Sequence, residues 1–166
     1  MITKKKIVLS FAKVLSAFAS VSILAFSGGI AVAQGKQEIT VPAADLKWEP
    51  PVPGSPIKSS VLWGDNKKGP FGMLLKQPGQ PGGFESGMHS HATDYYAVLV
   101  QGTWIHTILG DNSAPKELKP GSYVFQPAWQ VHNDRCKGPE DCIVFLYQLG
   151  KADFIPYKGN RPAEKQ

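Results

Sequence analysis

The chain has 166 residues, 42% of them hydrophobic, with a formal net charge of +5 and two cysteines. Four of its 18 Lys and Arg residues, and none of its 13 acidic residues, fall within residues 1–33, so the rest of the chain is close to neutral. Beyond Lys67-Lys68 no basic cluster remains, which argues against nucleic acid or an anionic membrane surface as a partner. Residues 34–166 are enough for one domain with a hydrophobic core and too few for two ordinary ones.

Residues 1–33 have the pattern of a secretory signal peptide. Lys4, Lys5 and Lys6 precede an apolar stretch over residues 14–26, and Ala31-Val32-Ala33 supplies an A-x-A cleavage motif. An uncleaved membrane anchor is the alternative, but the apolar stretch is short of the ~20 residues that a membrane span needs. We therefore predict export to the periplasm or the extracellular space, with no membrane attachment after cleavage.

Residues 34–60 are rich in proline, which removes backbone donors and restricts its neighbours to extended geometry. This segment is predicted to be an extended N-terminal arm rather than a helix or a central strand. Trp48 and Ile57 favour packing of the arm against the domain. Contact with a second protomer, in a homodimer, is the alternative.

Residues 61–158 show short strand-like runs that alternate with turn signals, and residues 159–166 are left as a C-terminal tail. The predicted strands cover residues 60–63, 71–76, 95–100, 103–109, 123–126, 130–133 and 143–149. Gln101-Gly102, between two of these runs, predicts a hairpin. Many short strands separated by Gly and Pro turns indicate a single all-β domain, a sandwich or a barrel.

The two cysteines, Cys136 and Cys142, favour a disulfide, because an exported chain with an even number of cysteines meets an oxidising environment. The segment between them predicts a turn, with the cysteines at facing positions of two hairpin strands. The alternative is that Cys136 binds metal as a thiolate, since it lies four residues after His132 on the same strand face.

His89 and His91 lie two residues apart, immediately before an apolar run that ends at Gly102. Residues i and i+2 of a strand share one face, so the two imidazoles predict half of a metal site. A second suggestive stretch runs from Gly121 through Pro127 to His132.

Together the two stretches resemble the signature motifs of the cupin superfamily, G-x5-H-x-H-x3-4-E-x6-G and G-x5-P-x-G-x2-H-x3-N. The matching positions are Gly83, His89, His91 and Gly102 in the first motif and Gly121, Pro127 and His132 in the second. Three positions depart from the motifs: Tyr95 stands at the glutamate, Trp129 at a glycine and Cys136 at the asparagine. The runs "LWGD" and "HSHATDYYAVLVQGT" are similar to small exported single-domain cupins of the kind classed as domains of unknown function.

The resemblance implies a cupin-type jelly-roll β-barrel in which His89, His91 and His132 bind a metal inside. Three neutral imidazoles suit a divalent transition metal: Zn, Fe, Mn, Cu or Ni. A barrel without metal, with the histidines as packed polar groups, is the alternative, but buried imidazoles then carry a desolvation cost. Tyr95 could bind the metal as a phenolate, donate a hydrogen bond to a bound molecule, or only pack; we expect it to point inward as an acid/base or orienting group. Asp94 is expected to face away.

Five residues near the motifs are predicted to line a pocket for a small molecule: Phe84, Met88, Trp104, Gln126 and Trp129. Core packing is the alternative for the aromatic residues. His106 matches no motif position and is expected to be a hydrogen-bonded strand residue.

Two main functions fit this sequence. The first is a metal-dependent enzyme that acts on a small organic molecule by oxygenase-, isomerase- or lyase-like chemistry. The second is a non-catalytic barrel that binds or senses a metal or a small ligand, favoured by the missing glutamate. A structural protein with inert histidines is a third reading.

Overall fold

The computed structural model describes residues 38–159. The predicted signal peptide, the first residues of the arm and residues 160–166 lie outside this range. The described elements are a short 3₁₀ helix, Ala43–Asp45, and the strands β1 Lys58–Gly64, β2 Phe71–Gln77, β3 Phe84–Glu85, β4 His89–Ser90, β5 Tyr95–Gln101, β6 Trp104–Ile108, β7 Glu117–Leu118, β8 Tyr123–Gln126, β9 His132–Cys136, β10 Cys142–Gln148 and β11 Ile155–Pro156. The all-β prediction is confirmed. Within the described range, no helix has the length and apolar character needed to cross a membrane.

The strands form two antiparallel sheets. One sheet has the order β1-β2-β10-β5-β8. The other has the order β11-β4-β9-β6-β7, and β3 pairs with β9 beside it. Side chains of both sheets meet in one core, so the domain is the jelly-roll barrel that the sequence resemblance implies.

The core follows from the period-two pattern of the long strands. In β5, Tyr95, Ala97 and Leu99 are buried, whereas Val98 and Val100 are exposed. Strand β10 alternates in the same way, with its cysteine, valine and leucine turned inward. Each fully buried aliphatic side chain of this kind stabilises the fold by roughly 1.5–3 kcal/mol. The second sheet adds Trp104, which is 3% exposed.

The predicted hairpin at Gln101-Gly102 is wrong, because β5 and β6 belong to different sheets. Gly102 has φ +88°, and a Cβ there would lie 2.8 Å from the carbonyl oxygen of Asp141. The glycine therefore turns the chain across the barrel, close against the segment that precedes β10. A hairpin turn and a turn between sheets require the same residue type, so the sequence pattern could not separate them.

The structure contains the disulfide between Cys136 and Cys142, with Cα atoms 5.6 Å apart. The hairpin expected around it is wrong, since Cys136 ends β9 in one sheet and Cys142 begins β10 in the other. The bridge therefore joins the two sheets. The strand predicted over residues 130–133 also begins later, at His132, because the chain is still turning at Trp129, whose φ is +64°.

Candidate metal centre

Three histidines are brought together by the pairing of β4 with β9. His89 lies directly opposite His132 in this ladder, and His91 follows one residue after the end of β4. One ligand nitrogen from each of the three rings lies within 4.8 Å of the others. The ring centroids of His89 and His132 are 4.3 Å apart, and those of His91 and His132 are 5.3 Å apart. The three rings thus share a common centre.

Backbone carbonyls fix which nitrogen of each ring can bind a metal. Nδ1 of His89 lies 2.8 Å from the carbonyl oxygen of Gly87, Nδ1 of His91 lies 2.6 Å from that of Asp153, and Nδ1 of His132 lies 3.1 Å from that of Gln130. A carbonyl can only accept, so each Nδ1 carries the hydrogen and each Nε2 keeps its lone pair. This outer arrangement is the one found around metal-binding histidines, and it makes the donor set fit a divalent transition metal.

Burial keeps two of these rings in the neutral form that binds metal. Desolvation lowers the pKa of His132 to about 4, against the opposing effects of Asp134 and of the Gln130 carbonyl. Desolvation likewise lowers the pKa of His89, although the hydrogen bond to Gly87 raises it in part. The side chain of His132 is fully buried and that of His91 is 13% exposed, so His91 lies on the more open side of the cluster.

A carboxylate that the motif comparison missed lies against the cluster. Asp134 Oδ2 is 3.7 Å from Nε2 of His132 and 3.9 Å from Nε2 of His89. Burial alone would raise the pKa of this carboxyl, but the hydrogen bond and charge of His106, with His132 and His89, hold that pKa below its usual value. Asp134 follows His132 by two residues in β9, and this shared strand face was the signal that could have revealed it.

His106 lies on β6 and is hydrogen-bonded through both ring nitrogens, as expected for a strand histidine outside the motifs. Its Nδ1 lies 2.7 Å from Oδ1 of Asp134, and its Nε2 lies 2.9 Å from Oε1 of Gln126. Gln126 in turn donates through Nε2 to the carbonyl oxygens of Pro127 and Gln130. The sequence did not show that this network ends at the histidine cluster, where the rings of His106 and His132 are 5.1 Å apart.

Tyr95, at the glutamate position of the first motif, points into the site. It is 2% exposed, and its hydroxyl lies 3.2 Å from Nε2 of His132. Burial, together with the charge of Asp134, raises the pKa of Tyr95 well above its ordinary value, so the phenol stays neutral and donates. Asp94 instead accepts a hydrogen bond from the backbone of Ala128, at 2.6 Å.

The five residues predicted to line a pocket occupy different environments. Trp104 belongs to the core, Phe84 packs against it, and Gln126 is buried in the network around His106. Met88 is 36% exposed, and Trp129 donates its backbone N–H to the carbonyl of His91. Their role in ligand binding stays a prediction.

A cavity of about 180 Å³ opens beside His106, and the five predicted pocket residues are not among those that line it. Its wall includes Ile108, Lys116, Leu118 and Val124. On another side of the cluster, Phe154 stacks on His89 with ring centroids 4.3 Å apart, a contact that no motif or spacing predicted. Phe154 itself is 51% exposed, so it covers the histidine at the surface.

The fold and the histidine cluster define a jelly-roll barrel with a candidate metal centre inside it. Residues 79–147 match the family model described as "Cupin domain". Over these residues the chain is a cupin domain. No curated protein matches the sequence.

Several solved structures share this fold. KdgF from Halomonas sp. has a TM-score of 0.52 and 18% identity, over 68% of this chain and 94% of that one. The DMSP lyase DddQ from Ruegeria pomeroyi has a TM-score of 0.54 and 17% identity, over 70% and 64%. A predicted oxalate decarboxylase from Thermotoga maritima has a TM-score of 0.51 and 16% identity, over 68% and 99%. At these identities the likeness concerns the fold, and cupin folds host several chemistries.

Proposed function

We propose that this protein is an exported cupin that binds one divalent transition metal through His89, His91 and His132 and acts on a small organic molecule. The observation that carries the proposal is the convergence of three Nε2 lone pairs, each fixed by a backbone carbonyl on the opposite side of its ring. A metal is the group that best satisfies three imidazoles aimed at one point, two of them buried.

Bound there, the metal would act as a Lewis acid toward an oxygen of a small molecule. The chain's own residues would supply positioning. The neutral Tyr95 hydroxyl is a hydrogen-bond donor at the centre, suited to an oxygen of the bound molecule. Entry from the side of His91, the more exposed of the three histidines, would bring the molecule to the centre. Such binding is compatible with oxygenase-, isomerase- and lyase-like chemistry.

A second function, binding or sensing without turnover, is favoured by the lack of a free base at the centre. Tyr95 is held neutral, and the carboxylate of Asp134 is engaged by His106. Asp153 is a third acid/base candidate beside the histidines, and its carboxylate is engaged by His91 and by the backbone N–H of Ala92. None of the three is poised to remove a proton. The protein would then hold a metal-bound ligand rather than convert it.

Export is part of the proposal. It is supported by the basic, apolar and A-x-A pattern of residues 1–33 and by the disulfide between Cys136 and Cys142. Fractionation of cells that produce the full chain, with N-terminal sequencing of the product, tests it. The expected result is a periplasmic or secreted protein that begins near Gln34; an uncut chain in the cytosol would contradict export.

The metal is tested by elemental analysis of protein purified from its natural compartment. We expect one transition-metal ion per chain, lost in His91→Ala and in His132→Ala. Glu85→Gln is the matched control, because Glu85 is an exposed residue of β3, the strand that pairs with β9. Metal content that is absent from the natural protein, or unchanged in both histidine variants, would overturn the proposal.

A turnover assay distinguishes the enzyme from the non-catalytic binding protein. The metal-loaded protein is incubated with a panel of small hydroxy and carboxylic acids, in air and without oxygen, and products are followed by mass spectrometry. Product formation that requires the metal supports the enzyme. A ligand that remains bound through purification and is released unchanged supports the binding protein.

A further inference from the structure

We propose that Asp134 is a fourth ligand of the metal, so that strand β9 supplies the carboxylate that the first motif would place at residue 95. The inference rests on the proposed metal centre and adds to it a residue at an unspecified position of the second motif, between His132 and Cys136. It also gives Tyr95 and Asp134 separate roles, one as a neutral donor and the other as an anionic ligand.

The first support is distance. Atoms that bind one ion at about 2.1 Å with tetrahedral angles lie about 3.4 Å from each other. Oδ2 of Asp134 lies 3.7 Å from Nε2 of His132 and 3.9 Å from Nε2 of His89, close to that separation. Nδ1 of each ring is engaged by a carbonyl, so each Nε2 turns its lone pair toward the centre; at His132 the Tyr95 hydroxyl donates to this lone pair until a metal replaces it. One cation can therefore be shared by the carboxylate and the two rings.

The second support is the way in which the carboxylate is held. Oδ1 accepts from His106, whose far nitrogen is fixed by Gln126. The backbone N–H of Asp134 donates to the hydroxyl of Ser86, at 3.0 Å. These contacts leave Oδ2 as the oxygen that faces the histidines. A buried carboxylate oxygen that faces two Nε2 atoms in this way is placed to share a cation with them.

The third support is chemical. A carboxylate from β9 restores to this site a donor set of three imidazoles and one carboxylate, and it lowers the net charge of a divalent ion and its ligands from +2 to +1. His106 is then a positioning residue, acting on the metal through Asp134.

The experiment begins with the natural sequence, so that it does not depend on a variant that folds. A crystal structure of the zinc-loaded protein is expected to show Oδ2 of Asp134 at about 2.0–2.2 Å from the ion, the usual zinc–carboxylate distance. A zinc ion on His89, His91 and His132 with Asp134 beyond about 3 Å would overturn this inference and leave the proposed metal centre intact. Failure of zinc to bind the histidines at all would instead overturn the metal centre.

Variants then measure the contribution of the carboxylate. Zinc affinity is measured by competition with a chromophoric chelator, and the absorption spectrum of the cobalt form reports ligand number. Asp134→Asn is expected to weaken binding by about 100-fold or more, since even outer-sphere partners of metal ligands contribute 10–100-fold. It is also expected to change the cobalt spectrum. Glu85→Gln, which removes an exposed carboxylate on the strand paired with β9, is expected to change neither.

His106→Gln distinguishes positioning from ligation. It is expected to weaken zinc binding less than Asp134→Asn does, and to keep the cobalt spectrum of a four-ligand site. Circular dichroism of each metal-free variant checks that the barrel is folded. An Asp134→Asn protein that is folded and binds zinc as tightly as the natural chain, with an unchanged cobalt spectrum, would contradict the inference.

Discussion

The hydroxyl of Tyr95 lies 3.2 Å from Nε2 of His132, the nitrogen that the proposed metal needs. In the metal-free protein the phenol donates to this lone pair, because Nδ1 of the same ring is engaged by the carbonyl of Gln130. Metal binding must break this hydrogen bond. Tyr95, at the position of the motif glutamate, therefore competes with the metal for Nε2 of His132 before the metal binds. Once the metal is bound, the Tyr95 hydroxyl can donate a hydrogen bond to a bound molecule.

Tyr95→Phe is expected to tighten metal binding by up to about fivefold, because a net hydrogen bond of about 1 kcal/mol no longer has to be broken. The metal-free variant should be less stable by about the same free energy. Chelator competition and urea unfolding measure the two effects. Tyr96→Phe is the control, since Tyr96 stacks on Phe125 away from the histidines. Binding that becomes tenfold weaker would show instead that Tyr95 is a phenolate ligand.

The burial of His132 predicts that the metal-free protein loses stability in mild acid. The pKa of His132 is about 4 in the folded state, against 6.5 when unfolded. The unfolded chain therefore binds more protons between these values, and the free energy of unfolding falls as the pH drops from 6.5 to about 4. The loss is about 3 kcal/mol from this residue. His89, whose pKa is also lowered, adds to it.

Urea unfolding at pH 7.5 and pH 4.5, in the presence of a chelator, measures this loss. His132→Gln should flatten the dependence on pH, because the titrating ring is gone. An unfolding free energy that is equal at both pH values in the natural protein would show that the ring is not buried in the neutral form.

The disulfide is expected to stabilise the barrel by about 2 kcal/mol, the value for closing a short loop in the unfolded chain. Replacing both cysteines, with Cys136→Ala and Cys142→Ala, should lower the free energy of unfolding by this amount. Thermal unfolding with and without a reductant gives the same comparison in the natural protein. Because the bridge joins the two sheets, a variant as stable as the natural protein would contradict its structural role.

Two glycines with nearly the same backbone conformation allow the cost of a left-handed φ to be measured apart from the cost of a steric clash. Gly102 has φ +88° and Gly121 has φ +90°. A Cβ at Gly121 meets nothing within 4 Å, whereas one at Gly102 meets the carbonyl oxygen of Asp141 at 2.8 Å. Gly121→Ala should cost about 1–2 kcal/mol for the left-handed conformation alone. Gly102→Ala should cost clearly more, as measured by urea unfolding; equal losses would contradict the close approach.

Local patterns predicted most of the long strands, because alternation of buried and exposed side chains is a property of each strand by itself. They did not assign strands to sheets. Gly102 fits a hairpin turn and a turn between sheets equally well. Only its packing against Asp141, which is distant in sequence, shows that it is a turn between sheets. The two-residue strands β3, β4, β7 and β11 are too short to show any periodicity.

At the candidate site, too, local patterns identified some residues, whereas others are brought in only by the pairing of distant strands. The spacing of His89, His91 and His132 in the motifs led directly to the cluster, although whether it binds metal stays a proposal. Asp134 shares the strand face of His132, yet its approach to His89 depends on the pairing of β4 with β9. Trp129 departs from the motif in residue type but keeps a left-handed φ of +64°, the conformation for which the motif uses glycine.

The segment after β10 completes the surroundings of two histidines. Its backbone carbonyl at Asp153 holds His91, and its Phe154 covers His89. A chain shortened after Gln148 would keep all three imidazoles but release His91 to rotate about χ1 and χ2 and to exchange its tautomer. For this reason, purification tags and fusion partners belong beyond Gly159, where they leave this segment docked on the barrel.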